Sequence, residues 1–234
     1  MTLIRRREAR IRRYVVAAIA GVLLTSGGSS VLADEHPFGS GDPYYWCREG
    51  MFGQADTLRS LGLARVSMGG RTRLKADHDP SCLDSVRSCL KRSSVASGDI
   101  VVTGHTQGAY TCIFLPAPDG GKVGWIKASD LTPLSAESIP TLAEWAGDWR
   151  FGDDSIVLSI EGTGLRAKAA GSWGSGHQFH DYAWTATAQP DGRSIDFEED
   201  DCRVHLLRLG PYLAAADNEG CGGLVRFNGV YRRR

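Results

Sequence analysis

The stretch from Gly98 to Leu131 constrains the fold more than any other part of the chain. It contains three short runs rich in β-branched and aromatic residues, Ile100–Val102, Tyr110–Leu115 and Val123–Ile126. Turns rich in glycine, aspartate and proline separate these runs. Short runs divided by such turns are typical of strands joined by hairpins. The stretch therefore predicts an antiparallel sheet.

Three short motifs in this stretch resemble a known domain. A strand that begins at Gly98-Asp99 is followed by a hairpin, by Gly124-Trp125-Ile126 and then by Ser129-Asp130-Leu131. This order resembles the second half of a bacterial SH3-like barrel, in which a strand with a similar Gly-Trp motif leads into a short turn and a closing leucine. The resemblance implies an SH3-like domain over residues 63–134.

Two aromatic residues of this domain are candidates for ligand binding. Tyr110 and Trp125 lie near hairpin ends, where the aromatic residues of such domains line peptide grooves. Because side chains alternate between the two faces of a strand, both residues are also candidates for the core. The sequence leaves both alternatives open.

A linker and a second β-domain follow. The segment Thr132–Thr141 carries two prolines and small polar residues, and we place the linker at residues 135–141. Residues 142–234 then form a C-terminal antiparallel β-domain, and residues 34–62 form an N-terminal lead-in. Domains that share only a linker tend to unfold separately, so this division predicts two unfolding transitions.

The C-terminal domain has the pattern of an up-and-down barrel or a sandwich. Regular turns separate seven strand-like runs: Ser155–Ile160, Leu165–Ala169, Tyr182–Ala188, Ser194–Phe197, Cys202–Leu209, Tyr212–Ala216 and Leu224–Tyr231. Short strands at this spacing are typical of those two architectures. Gly147-Asp148-Trp149 resembles the opening of lipocalin-type and avidin-type barrels. The predicted fold class is therefore all-β, with an SH3-like barrel and a second small antiparallel barrel or sandwich.

The N-terminus has the three parts of an export signal. Six arginines precede the apolar run Tyr14–Leu24, and Val31-Leu32-Ala33 fits a small-residue cleavage site. Cleavage after Ala33 leaves 21 basic and 26 acidic residues, a net charge of −5. An acidic protein is a poor candidate for binding nucleic acid. We expect a periplasmic or secreted protein with no stable membrane anchor after cleavage.

All six cysteines lie after this signal, and an even number in an oxidising compartment predicts disulfides. If Gly210-Pro211 is a two-residue hairpin loop, Cys202 faces a position two residues from Cys221, which predicts that these two cysteines pair. The other four cysteines allow three connectivities. We favour Cys82–Cys89 within one loop, which leaves Cys47–Cys112 to tie the lead-in to the first domain.

Candidates for chemistry are few. His177, His180 and Asp181 are residue types that bind metal, but the two histidines point to opposite faces of an extended strand. Their segment, Ser172–Tyr182, resembles the Ser-Gly-rich loop that small β-barrel inhibitors of lysozyme offer to the enzyme. The alternative is a polar glycine-rich loop with no such role. We predict no metal site and no cofactor.

The sequence lacks a nucleophile motif of the Gly-x-Ser-x-Gly type. Asp153 with Asp154, and Glu198 with Asp201, are the pairs of carboxylates that could serve a hydrolase. As a whole, the order of parts resembles a group of proteobacterial exported proteins, a resemblance that supplies no mechanism. We therefore expect a non-catalytic binding module for cell-envelope peptide or protein, with peptidoglycan or an envelope protein as the partner. The alternatives are an envelope hydrolase and an inhibitor of a lytic enzyme.

Overall fold

The computed structural model describes residues 47–76, 82–83, 89–117, 120–135, 138–175 and 178–234. The predicted export signal, residues 34–46 of the lead-in and His177 lie outside this part of the chain. The described residues are mainly β-strands in two antiparallel sheets, which confirms the all-β class. Within the same ranges, no helix is both long enough and apolar enough to cross a membrane.

The first sheet has seven strands: β1 (Gly62–Val66), β2 (Arg71–Lys75), β3 (Leu90–Ala96), β4 (Ile100–Gln107), β5 (Tyr110–Leu115), β6 (Lys122–Lys127) and β7 (Leu131–Pro133). From one edge to the other their order is β3-β2-β6-β5-β4-β1-β7. The three predicted runs of the Gly98–Leu131 stretch lie in β4, β5 and β6. Gly124 in β6 lies so close to β2 that an added Cβ would be 2.7 Å from the carbonyl oxygen of Lys75. Only glycine allows this close approach of the two backbones.

The second sheet has eight strands: β8 (Gly147–Phe151), β9 (Asp154–Glu161), β10 (Gly164–Ser175), β11 (Gln178–Ala188), β12 (Ser194–Glu199), β13 (Cys202–Leu209), β14 (Tyr212–Asp217) and β15 (Gly229–Arg233). Strands β8 to β11 and β12 to β15 pair in chain order, and β15 pairs with β8. Between β11 and β12 the backbone N–H of Thr185 donates to the Glu199 carboxylate over 3.0 Å. The sheet is thus an up-and-down meander curled into a nearly closed barrel.

One predicted strand of this domain is wrong in its first half. The predicted run Leu224–Tyr231 becomes a strand only from Gly229. The carboxylate of Asp217 accepts hydrogen bonds from the backbone N–H groups of Glu219 and Phe227, at 2.8 and 2.6 Å. Phe227 lies in the barrel core. These bonds hold the segment before Gly229 as a folded loop, so Val225 and Phe227 pack onto the core without joining a ladder, and Leu224 stays exposed.

Large side chains fill the interior of the barrel: Trp145, Trp149, Trp184, Phe197, Phe227 and Tyr231. Trp149 follows the predicted Gly147-Asp148 opening, and its indole N–H donates to the Trp145 carbonyl over 2.9 Å. The guanidinium groups of Arg208 and Arg233 lie over the same ring, at 4.8 and 4.9 Å from its centroid. The barrel is therefore a packed core rather than an open ligand cavity.

The two sheets share more than a linker. Strand β14 is buried on both faces: Leu213 and Ala215 face the barrel core, and Ala214 and Ala216 belong to a second cluster with Phe52. We call this second cluster the junction cluster; its buried members are Cys47, Met51, Phe52, Leu58, Leu61, Val102, Cys112, Phe114, Trp125, Leu209, Ala214, Ala216 and Val230. The described residues of the two sheets accordingly belong to one compact unit.

Three disulfides tie the fold together, and they pair as favoured from the sequence. They join Cys47 to Cys112, Cys82 to Cys89 and Cys202 to Cys221. The hairpin register behind the third pair is also confirmed, because Leu209 faces Tyr212 across the β13–β14 turn. No cysteine is free.

A thiol titration tests this pairing. Under denaturing, non-reducing conditions the purified protein should react with fewer than about 0.1 equivalents of a thiol reagent, because all six sulfurs are bonded. After reduction it should react with six. One or more reactive thiols per chain before reduction would contradict the three-disulfide arrangement.

Candidate functional site

Trp125 is part of the core. Its side chain is 0 % exposed, lies in the junction cluster and meets the ring of His105 edge-on at 5.0 Å between centroids. Trp125 stands opposite Cys112 on β5, whose sulfur is bonded to Cys47. The lead-in therefore covers this face of the strand. Of the two alternatives for Trp125 the structure supports the core position, and no ligand can reach the side chain in this fold.

Tyr110 lies at the edge of the same cluster and is partly exposed. The ammonium of Lys75 lies 4.8 Å above its ring centroid. The same ammonium donates to the carbonyls of Cys82 and Leu83, at 3.0 and 3.2 Å, and is therefore held in place. One face of the Tyr110 ring is thus already in use. The predicted pair of groove residues is not brought together on one surface.

The strongest candidate surface lies on the barrel instead, at the end of the β10–β11 hairpin. Strand β10 pairs with β9 only as far as Ala170, which faces Ser155. Beyond that point residues 171–175 and 178–182 pair only with each other. We call these ten residues the arm. The polar loop predicted for Ser172–Tyr182 is therefore wrong, because the ladder continues almost to the tip of the hairpin.

The arm carries exposed aromatic residues on both faces. Trp173 is 48 % exposed and Phe179 is 56 % exposed. Trp173 faces His180 across the hairpin, with 6.0 Å between the ring centroids, and Phe179 faces Gly174. Since neighbouring residues of a strand point to opposite faces, Trp173 and His180 lie on one face and Phe179 on the other.

Two glycines shape the arm. Gly174 has φ of +107°, and an added Cβ would come within 1.8 Å of the Gln178 carbonyl oxygen, so no side chain fits there. At the base, a Cβ on Gly171 would lie 2.9 Å from the Asp154 carboxylate and 3.0 Å from Val225. Gly171 and Gly174 therefore occur where neighbouring atoms leave little or no room for a side chain. They do not indicate a flexible loop.

A half-buried carboxylate holds the base of the arm. Asp154 accepts a hydrogen bond from the backbone N–H of Ser172 over 3.1 Å. Burial raises the pKa of Asp154 to about 6; the bond from Ser172 lowers it, and the neighbouring Asp153 raises it further. The folded protein therefore binds a proton at Asp154 more tightly than the unfolded chain does.

This raised pKa predicts a pH-dependent difference between the wild type and Asp154→Asn. Asparagine keeps an oxygen that can accept from Ser172 but never becomes charged. Between pH 4 and pH 7 the wild type should lose stability relative to the variant, since its charged carboxylate is disfavoured in the fold. The difference should grow from about pH 4, be half complete near about pH 5, midway between the unfolded value of 3.8 and the folded value of about 6, and level off above about pH 7. Urea unfolding at pH 4, 6 and 8 measures it, and a constant difference would contradict the raised pKa.

Carboxylates surround the base of the arm. We call them the acidic rim: the exposed Asp153, Asp181, Asp200 and Asp201, and the half-buried Glu199, which accepts from Thr185. Burial raises the pKa of Tyr182, and the charges of Glu199, Asp200 and Asp201 raise it further, which places these three acids beside the arm. The ion pairs found among the described residues include no member of the rim. Their negative charge is therefore not neutralised within the described part of the chain.

Other candidates for chemistry do not assemble into a site. His180 and Asp181 are adjacent on β11 and point to opposite faces, and among the described residues no three His, Cys, Asp or Glu side chains converge as metal ligands. Glu198 is paired with Arg203 at 3.3 Å. A cavity of about 280 Å³ is lined by Ser138, Pro140, Glu144, Arg208 and Gly210, and the carboxylates considered for hydrolysis are not in this lining.

Comparisons with protein families, curated proteins and solved structures find no match for this chain. The candidate site therefore rests on its own geometry. Sequence reasoning missed Trp173 and Phe179 because it weighted the glycines and serines around them. The available signal was the small or apolar residue at every second position, which runs from Leu165 to Trp173. This alternation predicts that the strand continues into the arm.

Proposed function

We propose that this protein is an exported, non-catalytic binding module that captures a protein of the cell envelope with its arm. The observation that carries the proposal is the pair of exposed aromatic residues, Trp173 and Phe179, on a hairpin that extends beyond its sheet. Trp and Phe are enriched in the buried centres of interfaces, where a few such residues supply most of the binding energy. Isolated exposed apolar residues need no explanation, but two on opposite faces of one projecting hairpin make that hairpin a candidate contact element.

Export and the SH3-like assignment belong to the same proposal. Three disulfides are compatible with an oxidising compartment, and Met1–Ala33 has the composition of a leader. The SH3-like assignment is supported by the Gly124-Trp125-Ile126 strand, the 3₁₀ turn Ala128–Asp130 and the pairing of β7 with β1. In this proposal the first sheet is a scaffold that supports the barrel through the junction cluster.

The arm is suited to binding because it is ordered before any ligand arrives. Its two strands are paired up to Ser175 and Gln178, and Asp154 fixes Ser172 at the base. A preorganised hairpin loses little conformational entropy when it binds. The same feature supports the alternative of an inhibitor of a lytic enzyme, since such a hairpin can fill an enzyme cleft. It gives no support to a hydrolase, which needs converging acid and base groups.

Photo-crosslinking at the arm tests the proposal. A photoreactive phenylalanine at Gln178, exposed on the arm, should give one main protein adduct in the envelope of producing cells. The same residue at Ile160, exposed at the other end of the barrel, is the matched control and should give none. Adding Trp173→Ala should lower the adduct at least tenfold, because a central aromatic contact is lost. A thermal unfolding curve unchanged within about 2 °C would show that the variant still folds.

Two outcomes would overturn the proposal. Equal adducts from Gln178 and Ile160 would show that the arm has no special role. Retention of the wild type by protein-free peptidoglycan, lost on Trp173→Ala, would show that the arm recognises the cell wall instead of a protein.

A further inference from the structure

We infer that the arm docks into a cleft with cationic edges, on a basic protein. The inference rests on the proposed function and adds the shape and charge of the partner. Two independent features of the described residues carry it: the distribution of aromatic side chains over the arm, and the acidic rim around its base.

The shape follows from the two faces of the arm. Trp173 and His180 are exposed on one face, and Phe179 is exposed on the other. A flat partner can cover only one face of a two-stranded hairpin and would leave the other aromatic residue in water. A concave partner covers both faces at once and buries apolar area on each. The arm therefore fits a cleft.

The dimensions are consistent with a cleft of ordinary depth. On β10 the arm extends five residues, from Gly171 to Ser175, beyond the last residue paired with β9. Gly171 and Ser172 still lie against Asp154 of the barrel, so the part that projects freely is Trp173–Ser175, roughly 10 Å at a rise of about 3.3 Å per residue. A single two-stranded layer of this length can enter a groove without moving the barrel. Trp173 and Phe179 then both lie on the inserted part, Trp173 at its start and Phe179 one residue pair nearer the tip.

The charge of the partner follows from the acidic rim. When the arm enters a cleft, the edges of that cleft come to lie against Asp153, Glu199, Asp200 and Asp201 at the base of the arm. These carboxylates lack an ion-pair partner among the described residues. Acidic edges would be repelled, and lysine or arginine side chains would be attracted and would steer the approach.

The acidic rim also disfavours other occupants. Anionic polymers and anionic lipid surfaces would be repelled by the rim at the distance at which the arm makes contact. A second copy of this chain is the remaining alternative, because Arg71, Arg73, Arg92, Lys122 and Lys127 on its first sheet form no ion pair among the described residues. The experiment therefore has to separate a different protein from a second copy.

The experiment uses the photoreactive phenylalanine at positions 173 and 179 of the full mature protein, with the soluble envelope proteins of the producing cells as the probe. The photoreactive residue is itself aromatic, so it replaces each side chain with a related one. Docking in a cleft predicts adducts with the same protein from both positions. That protein should have a basic isoelectric point.

Charge reversal tests the second half of the inference. Asp200→Lys with Asp201→Lys should lower the adduct yield about tenfold at 50 mM salt. The matched control, Glu161→Lys with Asp191→Lys, makes the same change in net charge at the opposite end of the barrel and should change the yield less than twofold. Raising the salt to 500 mM should also lower the adduct yield of the wild type about tenfold, because exposed charges are screened.

The possible failures are distinguishable. If positions 173, 178 and 179 all give no adduct, the proposed function is wrong. If only one face of the arm crosslinks, the partner is flat and the inference of a cleft is wrong. If charge reversal and salt leave the adduct yield unchanged, or the partner is acidic, the inference of cationic edges is wrong. An adduct at twice the mass of the chain would identify a second copy and overturn the inferred partner.

Discussion

Replacing Phe52 with alanine should lower the free energy of unfolding by about 3–5 kcal/mol, and it should destabilise both sheets together. Phe52 is 0 % exposed and lies in the short 3₁₀ turn Glu49–Gly53, between the two sheets. Its ring centroid is 5.5 Å from that of Phe114 on β5. The same cluster includes Ala214 and Val230 of the barrel. Removal of the ring leaves a cavity that neither sheet can close alone.

The backbone next to Phe52 gives a second reason for coupling. A Cβ added to Gly53 would lie 2.4 Å from the backbone nitrogen of Gly229, so the turn is in direct contact with β15. The hydroxyl of Tyr212 also donates to the Ile100 carbonyl over 2.8 Å, from the barrel to β4. Domains joined by a linker alone lack such direct contacts. These contacts therefore favour unfolding of the two sheets together.

Urea unfolding followed by hydrogen exchange measures the coupling. Peptides from β5 and from β14 should lose protection at the same urea concentration in the wild type, and at a lower but still common concentration in Phe52→Ala. Phe197→Ala is a second test, because it removes a ring from the barrel core outside the junction cluster. If the two sheets unfold together, this variant should also move the loss of protection in both peptides to one lower urea concentration. Separate transitions for β5 and β14 would instead support the independent domains that the linker at 135–141 suggested.

Much of the fold can be read from the sequence because turn chemistry is local. Gly210-Pro211 sets the register of β13 and β14, and this register brings Cys202 near Cys221. Local rules of this kind predicted the strands of the Gly98–Leu131 stretch and most strands of the barrel. They say little about which sheet packs against which surface.

The junction cluster shows what local rules miss. Tyr212–Ala216 is an unbroken run of apolar residues, a pattern typical of a strand that is buried on both faces. The second face is covered by residues 51–61, which come from the opposite end of the chain. Trp125 is a similar case: its strand is predictable, but the covering of its face depends on the distant Cys47. Long-range packing therefore decided which aromatic residues stayed exposed.

The arm was missed for a different reason. Ser172–Tyr182 has the composition of a loop, and glycine and serine weaken strand propensity. Tertiary contacts override this propensity, because Gly171 makes room for Asp154 and Val225, and the carboxylate of Asp154 binds Ser172. Glycine and serine in this segment indicated flexibility. In the fold they occur because the neighbouring atoms leave room only for small side chains.

The three disulfides should differ in their contribution to stability according to the length of chain they close. Replacing both Cys47 and Cys112 with alanine should lower the free energy of unfolding by about 4 kcal/mol, because their loop spans 65 residues. The same change at Cys202 and Cys221 should cost about 3 kcal/mol, because that loop spans 19 residues. Cross-linking a longer loop removes more conformations from the unfolded chain.

These two pairs are matched controls for each other. All four cysteines are buried, so each double substitution removes the same two sulfur atoms from a packed environment. The packing losses should therefore be similar, and the difference of about 1 kcal/mol should report loop length. Urea unfolding of both variants measures this difference directly. A larger loss from Cys202 and Cys221 would contradict the loop-length account, and it would place the main contribution of that disulfide in the folded loop between β14 and β15.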